Sequence, residues 1–370
     1  MVGCCSRRGG SRHEPVWAVG HGGAILPEVA VNEAPQPALV LASGEWSEVL
    51  PAPSRPTVTV PLVVERTRPS YKREPTVLDG LEAEARRLAT LSPPYRRILE
   101  VNRTAESVVL VGERFVGLTA SELVKALSTE GRLLPLDVWL RLAVELTQVL
   151  DEPAPCGPAA GGGLRSLGID VRRRLVLFTD PLIALSARHL EFLDPHPRVG
   201  NLDWAIYISP EEVVGRTETV ASRVFCTATA LADLLTLTIP FLRGSMMDTL
   251  RALHQAEVFW STAAHPECPV AVGEVFRKAW SKEPERRWPS GLAFRDALLG
   301  AAGVAPASME QAATLILSAD FARVRQRLRD LEREPEWLPD VWRSGGLRVL
   351  EDELLEALPP LDRLPQRRPS

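Results

Sequence analysis

The sequence predicts an α+β chain in which a small sheet with one helix comes first and a larger, mainly helical part follows. Three observations carry this expectation. Short β-branched runs bounded by proline or charge, PALVLAS (37–43), TVTVPLVVER (57–66) and ESVVLVGERF (106–115), crowd the first third of the chain, as strands do. Between the last two, VLDGLEAEARRLATL (77–91) sets Leu81, Ala85, Leu88 and Leu91 on one helical face. Beyond residue 118 the apolar pattern is mainly helical.

Residues 1–37 mix Gly, Pro, Arg and Ser without periodicity and read as a flexible leader. The sheet region runs over 38–117. The helical region, 118–302, opens with TASELVKAL, whose Thr119 can cap a helix, and continues with the strongly apolar LPLDVWLRLAVELTQVL (134–150). DVRRRLVLFTD (170–180) interrupts it as a short hairpin, and 181–210 has little periodicity, the mark of a long functional loop. Further helices are expected at 211–216, 219–237, 246–255, 270–281 and 290–300. In the extension, 303–370, Leu317, Phe321, Val324, Leu328 and Leu331 step by four and three, which predicts one amphipathic helix, and LRVLEDELLEAL follows as another.

Composition limits the partners. A formal charge of -4 over 24% charged residues gives no basic field for nucleic acid and no polybasic membrane segment. The chain has no run of about eighteen apolar residues, and MVGCCSRRGGSRHEP lacks the apolar core of a signal peptide. A cytoplasmic protein without nucleic-acid or membrane partners is expected. Cys4, Cys5, Cys156, Cys226 and Cys268 form no CxxC knuckle, and the six histidines show no paired spacing, so neither a disulfide framework nor a zinc site is expected.

Two strings narrow the reading. YISPEEVVGRTETVASRVFCTATALADLLTLTIPF (207–241) and KAWSKEPERRWPSGLAFRDAL (278–298) resemble, in order and separation, the large lobe of bacterial eukaryotic-type Ser/Thr protein kinases. The resemblance spans roughly 38–300. It implies a two-lobed fold, a small antiparallel sheet lobe with one helix and a larger helical lobe, here with C-terminal helices added. It also implies that Glu211 and Arg287 form the buried ion pair that ties this lobe together. The alternative is two charges on solvated helix faces.

Carried backward, the resemblance maps a nucleotide pocket. LASGEWSEVLPA (41–52) matches the glycine-rich loop with only its middle glycine, Gly44, kept, Ala42 and Ser47 at the outer glycine positions, and Val49 at the residue that covers adenine. In PLVVER (61–66) Glu65 stands where the family has the phosphate-gripping lysine, and Glu84 matches the helix glutamate that pairs with that lysine. Two facing carboxylates cannot both ionise cheaply. One must protonate, turn outward or recruit an arginine such as Arg66 or Arg87, and Lys72 is a possible substitute cation. Gly112 falls at the gatekeeper position, where a glycine would open space behind the adenine site, and Glu113 to Phe115 form the hinge.

Phosphoryl transfer needs a carboxylate to orient the attacking hydroxyl, an Asn and an Asp for Mg²⁺, and a lysine for the phosphates. Only the metal-binding aspartate is matched, by Asp180 in LVLFTDPLIAL, where Pro181 and Leu182 replace Phe and Gly. PAAGGGLRSLGIDV (158–171) stands where the catalytic loop belongs, with Gly163 near the catalytic aspartate and Gly168 near the asparagine; Asp170, the nearby carboxylate, would point along a strand. Arg223 replaces the aspartate that braces that loop, and no Ser or Thr lies between Ser186 and Ser209. No catalytic residue is therefore assigned. The expected role is a pseudokinase, a binding, scaffold or regulatory module for a protein partner, with no cofactor. ATP with Mg²⁺ held weakly, with Asp180 as the metal ligand and residual phosphotransfer, is the alternative. A structural subunit of a larger assembly is a third, and the tail helices either serve that assembly or cover an apolar patch.

Overall fold

The computed structural model describes residues 41–43, 47–68, 75–152, 163–181, 205–333, 347–357 and 364–367, all within one unit spanning Val40–Ser370. The leader 1–37, Gly44, Lys72, Leu182, Ser186 and most of the 181–210 loop lie outside the described residues.

Proline decides where the first sheet starts and stops. Pro56 and Pro61 lack the N–H a ladder needs, so the expected 57–66 strand is a turn over its first half and a strand only from Leu62. The sheet comprises β1 (Ala42–Ser43), β2 (Ser47–Ala52), β3 (Leu62–Thr67), β4 (Ile98–Arg103) and β5 (Val108–Glu113). Their order is β1-β2-β3-β5-β4, and each described pairing is antiparallel. The register sets Glu65 between Val49 and Leu110, and Gly112 opposite Val63 and Ile98. Helix α1 (Pro75–Leu88) lies against β4 and β5 and buries Leu78, Leu81, Ala85 and Leu88, a face set by their helical spacing.

A second antiparallel sheet has the order β6 (Gly117–Thr119), β7 (Leu167–Asp170), β8 (Leu175–Leu177). Gly117 is required there, because a Cβ would stand 2.0 Å from the Ile169 carbonyl oxygen. The loop after α1 is sewn onto the far edge: Leu177 N–H donates to Pro94 O and Arg96 N–H to Leu177 O, each at 2.9 Å. Pro94 to Arg96 thus tie the first sheet to the second.

The helical part starts with α2 (Ala120–Glu130), closed by a Thr119–Glu122 capping box and ended by Gly131 at φ 63°, the left-handed geometry glycine tolerates. It continues through α3 (Leu136–Gln148), α4 (Pro210–Val213), α5 (Val220–Thr236), α6 (Met246–Gln255), α7 (Val270–Ala279) and α8 (Gly291–Ala302). Helix α5 is buried over nearly its whole length, which fits the run of small and apolar residues from Val224 to Ala232. Around it Trp139, Phe225, Phe241, Phe276, Trp280 and Phe294 fill the core, and Trp139 Nε1–H donates to Leu231 O at 2.8 Å. A buried indole keeps a partner in this way.

The tail differs from the single helix expected. It breaks at Asp320 (φ -138°, ψ 60°), whose carboxylate accepts from Arg323 N–H and starts a new helix. The products are α9 (Met309–Ala319) and α10 (Phe321–Glu332), followed by α11 (Leu347–Ala357). Helix α9 packs on α2, α3 and β7, α10 on β6, and α11 on both tail helices. Ile316, Leu317, Val324, Leu328 and Leu331 are buried in these contacts, so the apolar stripe is used within the chain. A small antiparallel sheet joined to many helices is compatible with a kinase-like fold.

Candidate functional site at the junction of the two sheets

The residue that organises the site is Arg96, which the sequence did not single out. Its backbone is fixed on β8, and its side chain turns back under the first sheet, 3% exposed. Nη1–H donates to Glu65 Oε1 and to the Thr179 carbonyl, and Nε–H donates to the Glu113 carbonyl at 2.5 Å. Asp180 Oδ1 lies 3.8 Å from Nη1. One guanidinium thus joins β3, the end of β5 and the segment after β8, and its charge compensates a Glu65 side chain that is only 1% exposed. A buried carboxylate requires such a cation.

Of the pocket residues mapped from the sequence, Glu65, Gly112, Glu113 and Asp180 adjoin this group. Val49 is buried on β2, opposite Glu65. Glu84 sits half-buried on α1. Gly112 leaves no cavity: a Cβ there would lie 2.9 Å from Arg97 O and 3.4 Å from Arg96 Nη2. The room that a glycine opens is filled by the chain at 96–97, because β8 draws that loop inward. Arg66, expected as a recruit for Glu65, instead donates to Glu48 at 2.6 Å. Glu113 sends its carboxylate away from Arg96 to Arg174 at 2.8 Å and Arg172 at 3.4 Å.

Gly168 and Asp170 both lie on β7. Gly168 belongs to β7, opposite Thr119 and Val176, and the Phe115 ring lies over it, with Cζ 2.5 Å from where a Cβ would be. Asp170 does not point along its strand. Its carboxylate folds into the hairpin turn, accepting from Arg172 N–H at 3.0 Å, Arg174 N–H at 3.3 Å and both guanidinium groups. That is the geometry of an Asp-stabilised turn.

Asp180 ends the site. Its side chain is 35% exposed, and burial pushes its pKa up while the Arg96 and Arg327 charges pull it down. Arg327 reaches this region from α10: it donates to the Gly117 carbonyl and makes a two-pronged pair with Glu122 at 2.8 and 3.0 Å. Burial opposes ionisation of Glu122, but the Arg327 charge, the Thr119 amide and bonds from Arg323 and Arg327 outweigh it and hold its pKa at about 2. Among the described residues no group of three His, Cys, Asp or Glu side chains is arranged to hold a metal ion, and no helix is long and apolar enough to cross a membrane.

Deeper in the helical part, Glu211 and Arg287 meet at 2.7 and 2.8 Å. Ser222 donates to the same carboxylate at 2.6 Å, and Arg287 also donates to the carbonyls of Ser281, Lys282 and Ala221. Burial would raise the Glu211 pKa, yet Arg287 and Ser222 hold it below the usual carboxylate range. Arg223 donates to the Glu152 carbonyl and lies 3.5 Å from Glu218.

A small antiparallel sheet, a strand leading into a capped helix and a helical part tied by Glu211 and Arg287 are compatible with a kinase-like fold. No family model matches it. Over 243 residues, 64% of its length, it is 24% identical to the tyrosine-protein kinase MasK of Myxococcus xanthus, and the match covers 38% of that protein. The chain thus matches well under half the length of this relative. The motif strings resemble Ser/Thr kinases and the relative is named as a tyrosine kinase, so what they share is a kinase relationship without a defined acceptor residue.

Proposed function

We propose that this chain is a kinase-like module that does not transfer phosphate and acts by holding a protein partner in the cytoplasm, as a scaffold or regulator. The observation that carries the reading is the Arg96 guanidinium caged by Glu65 and by the carbonyls of Glu113 and Thr179. A triphosphate is gripped by a cation that turns its donors toward the phosphates, and here the Arg96 Nε–H and Nη1–H donors are spent on protein acceptors. Glu65 adds a buried negative charge beside the path a polyanion would take. Phe115 over Gly168 fills the space next to the hinge strand. These residues do not fit ATP with Mg²⁺.

The test is a thermal-shift titration with ATP, with and without Mg²⁺. Binding at a hundred times Kd stabilises a protein by about 2.7 kcal/mol. The expected outcome is no Mg²⁺-dependent rise in melting temperature, and a rise of several degrees would overturn the reading. A second reading, weak nucleotide binding with slow transfer, is favoured by one feature: Asp180 keeps 35% exposure next to a cation. It requires the Mg²⁺-dependent rise, so the same titration separates the two.

A further inference from the structure

The loop between α2 and α3 carries a short backbone edge, Gly131–Leu133, on which a distant piece of the chain is laid as an extra strand. Leu133 N–H donates to Pro365 O at 2.8 Å, and Arg367 N–H donates to Gly131 O at 2.9 Å. Arg132 and Gln366 face each other as an antiparallel bridge. Two side chains secure the ends: Arg132 Nη1–H donates to Leu364 O at 2.9 Å, and Arg367 Nη2–H to Thr238 Oγ1 at 2.8 Å. Leu364 is buried, 4% exposed, whereas Gln366 faces solvent.

The receiving edge is built without help from its occupant. Gly131 is fixed by its cap bonds to the last turn of α2, Arg132 N–H donates to Leu127 O at 2.9 Å, and Thr238 is tied to Thr236 O at 3.3 Å. A preset edge that takes an extended segment by backbone bonds, with a pocket for one apolar side chain and a hydroxyl for one guanidinium, is the strand-addition mode of peptide recognition. The backbone bonds supply affinity for any extended chain, and the leucine and arginine supply selection. Proline between them narrows the unbound conformations and reduces the ordering cost.

We propose that Gly131–Leu133, with Thr238, is a docking edge for an extended peptide of a partner protein that carries leucine, then proline, then arginine three positions after the leucine, and that Leu364–Arg367 is its internal competitor. The proposal rests on the reading that this module acts by holding a protein, and it names where. A tethered competitor acts at a high effective concentration, about millimolar for short links, so the edge opens to a partner only when the tail is displaced.

The test uses the full chain and a fluorescent peptide with the sequence of residues 361–370, read by anisotropy, with molar mass measured in parallel by light scattering. The Leu364→Ser/Arg367→Ala protein is expected to bind the peptide about tenfold more tightly than the unsubstituted protein. A peptide bearing the same two changes should not bind. Arg367→Ala alone leaves Leu364 in its pocket and should give a smaller gain, about threefold; it decides the matter if the double variant does not fold. No gain in either variant, or equal binding of the substituted peptide, overturns the proposal. So does a concentration-dependent dimer of the unsubstituted protein that the variants lose, because the occupant is then a second copy of this chain. A nucleotide titration that fails leaves these outcomes unchanged, so the two readings fall separately.

Discussion

Glu65 and Arg96, 31 residues apart in the chain, form an ion pair whose side chains are 1% and 3% exposed. Removing one partner leaves a buried charge without compensation. Arg96→Met is therefore expected to lower unfolding free energy by about 3–5 kcal/mol, measured by urea denaturation. Adding Glu65→Met to it should recover most of the loss. If the double variant is no better than the single one, the pair is not what stabilises the junction.

Gly112 faces the same group from the sheet. Gly112→Ala puts a methyl 2.9 Å from Arg97 O, a backbone atom that cannot give way easily. Overpacking of this kind costs about 1–3 kcal/mol. A substitution at Gly131, which has open space but φ 63°, should cost through backbone strain instead and leave the Arg96 region unchanged in hydrogen exchange.

Asp233 gives the fold a pH dependence. Its carboxylate accepts from Tyr207 Oη–H at 2.9 Å, and burial pushes its pKa from 3.8 up to about 6 in spite of that bond. The folded state thus holds the proton more tightly than the unfolded one. The associated stability is fully present below about pH 3.8 and is lost as pH rises through about 6. The full span is on the order of 3 kcal/mol. Asp233→Asn should lack this slope, so the difference in urea midpoint between the two proteins should change as pH rises through about 6; parallel profiles would show that Asp233 does not titrate in this window.

Helix α10 is held to the Gly117 carbonyl and to Glu122 by Arg327. Arg327→Ala should raise hydrogen exchange along α10 while exchange in α5 stays slow. The stability loss should be about 1 kcal/mol, because the pair is only half-buried and partly screened. The low pKa of Glu122, about 2, has the opposite sign to Asp233. Its stabilising effect is complete above about pH 4.5 and falls away as pH drops toward 2, so acid should loosen α10 in the unsubstituted protein more than in the variant.

Much of the fold can be read from local pattern because its elements announce themselves locally. Leu81, Ala85 and Leu88 fix the buried face of α1, and Thr119 with Glu122 marks the start of α2. Pattern fails where one residue interrupts it. The apolar steps run through Leu317, Phe321 and Val324 as if Asp320 were not there, yet its carboxylate restarts the helix. The pairing of Glu211 with Arg287 could be suggested from two recognisable strings, but Arg96 could not. Ser92 to Ile98 carries two adjacent arginines and no periodicity, and the groups Arg96 binds lie 17, 31 and 83 residues away. The available hints were indirect: a glutamate where a cation was due and a glycine that needed a reason.

The Arg96 junction also constrains substitution. Placing a lysine at position 65 would set two cations against each other, and exchanging Arg96 first would strand Glu65; a bulkier residue at 112 is resisted while the 96–97 backbone remains where it is. Each of these exchanges made singly is uphill, so the three positions can change only in concert. The junction is thus locked as a unit by one ion pair and one close backbone approach.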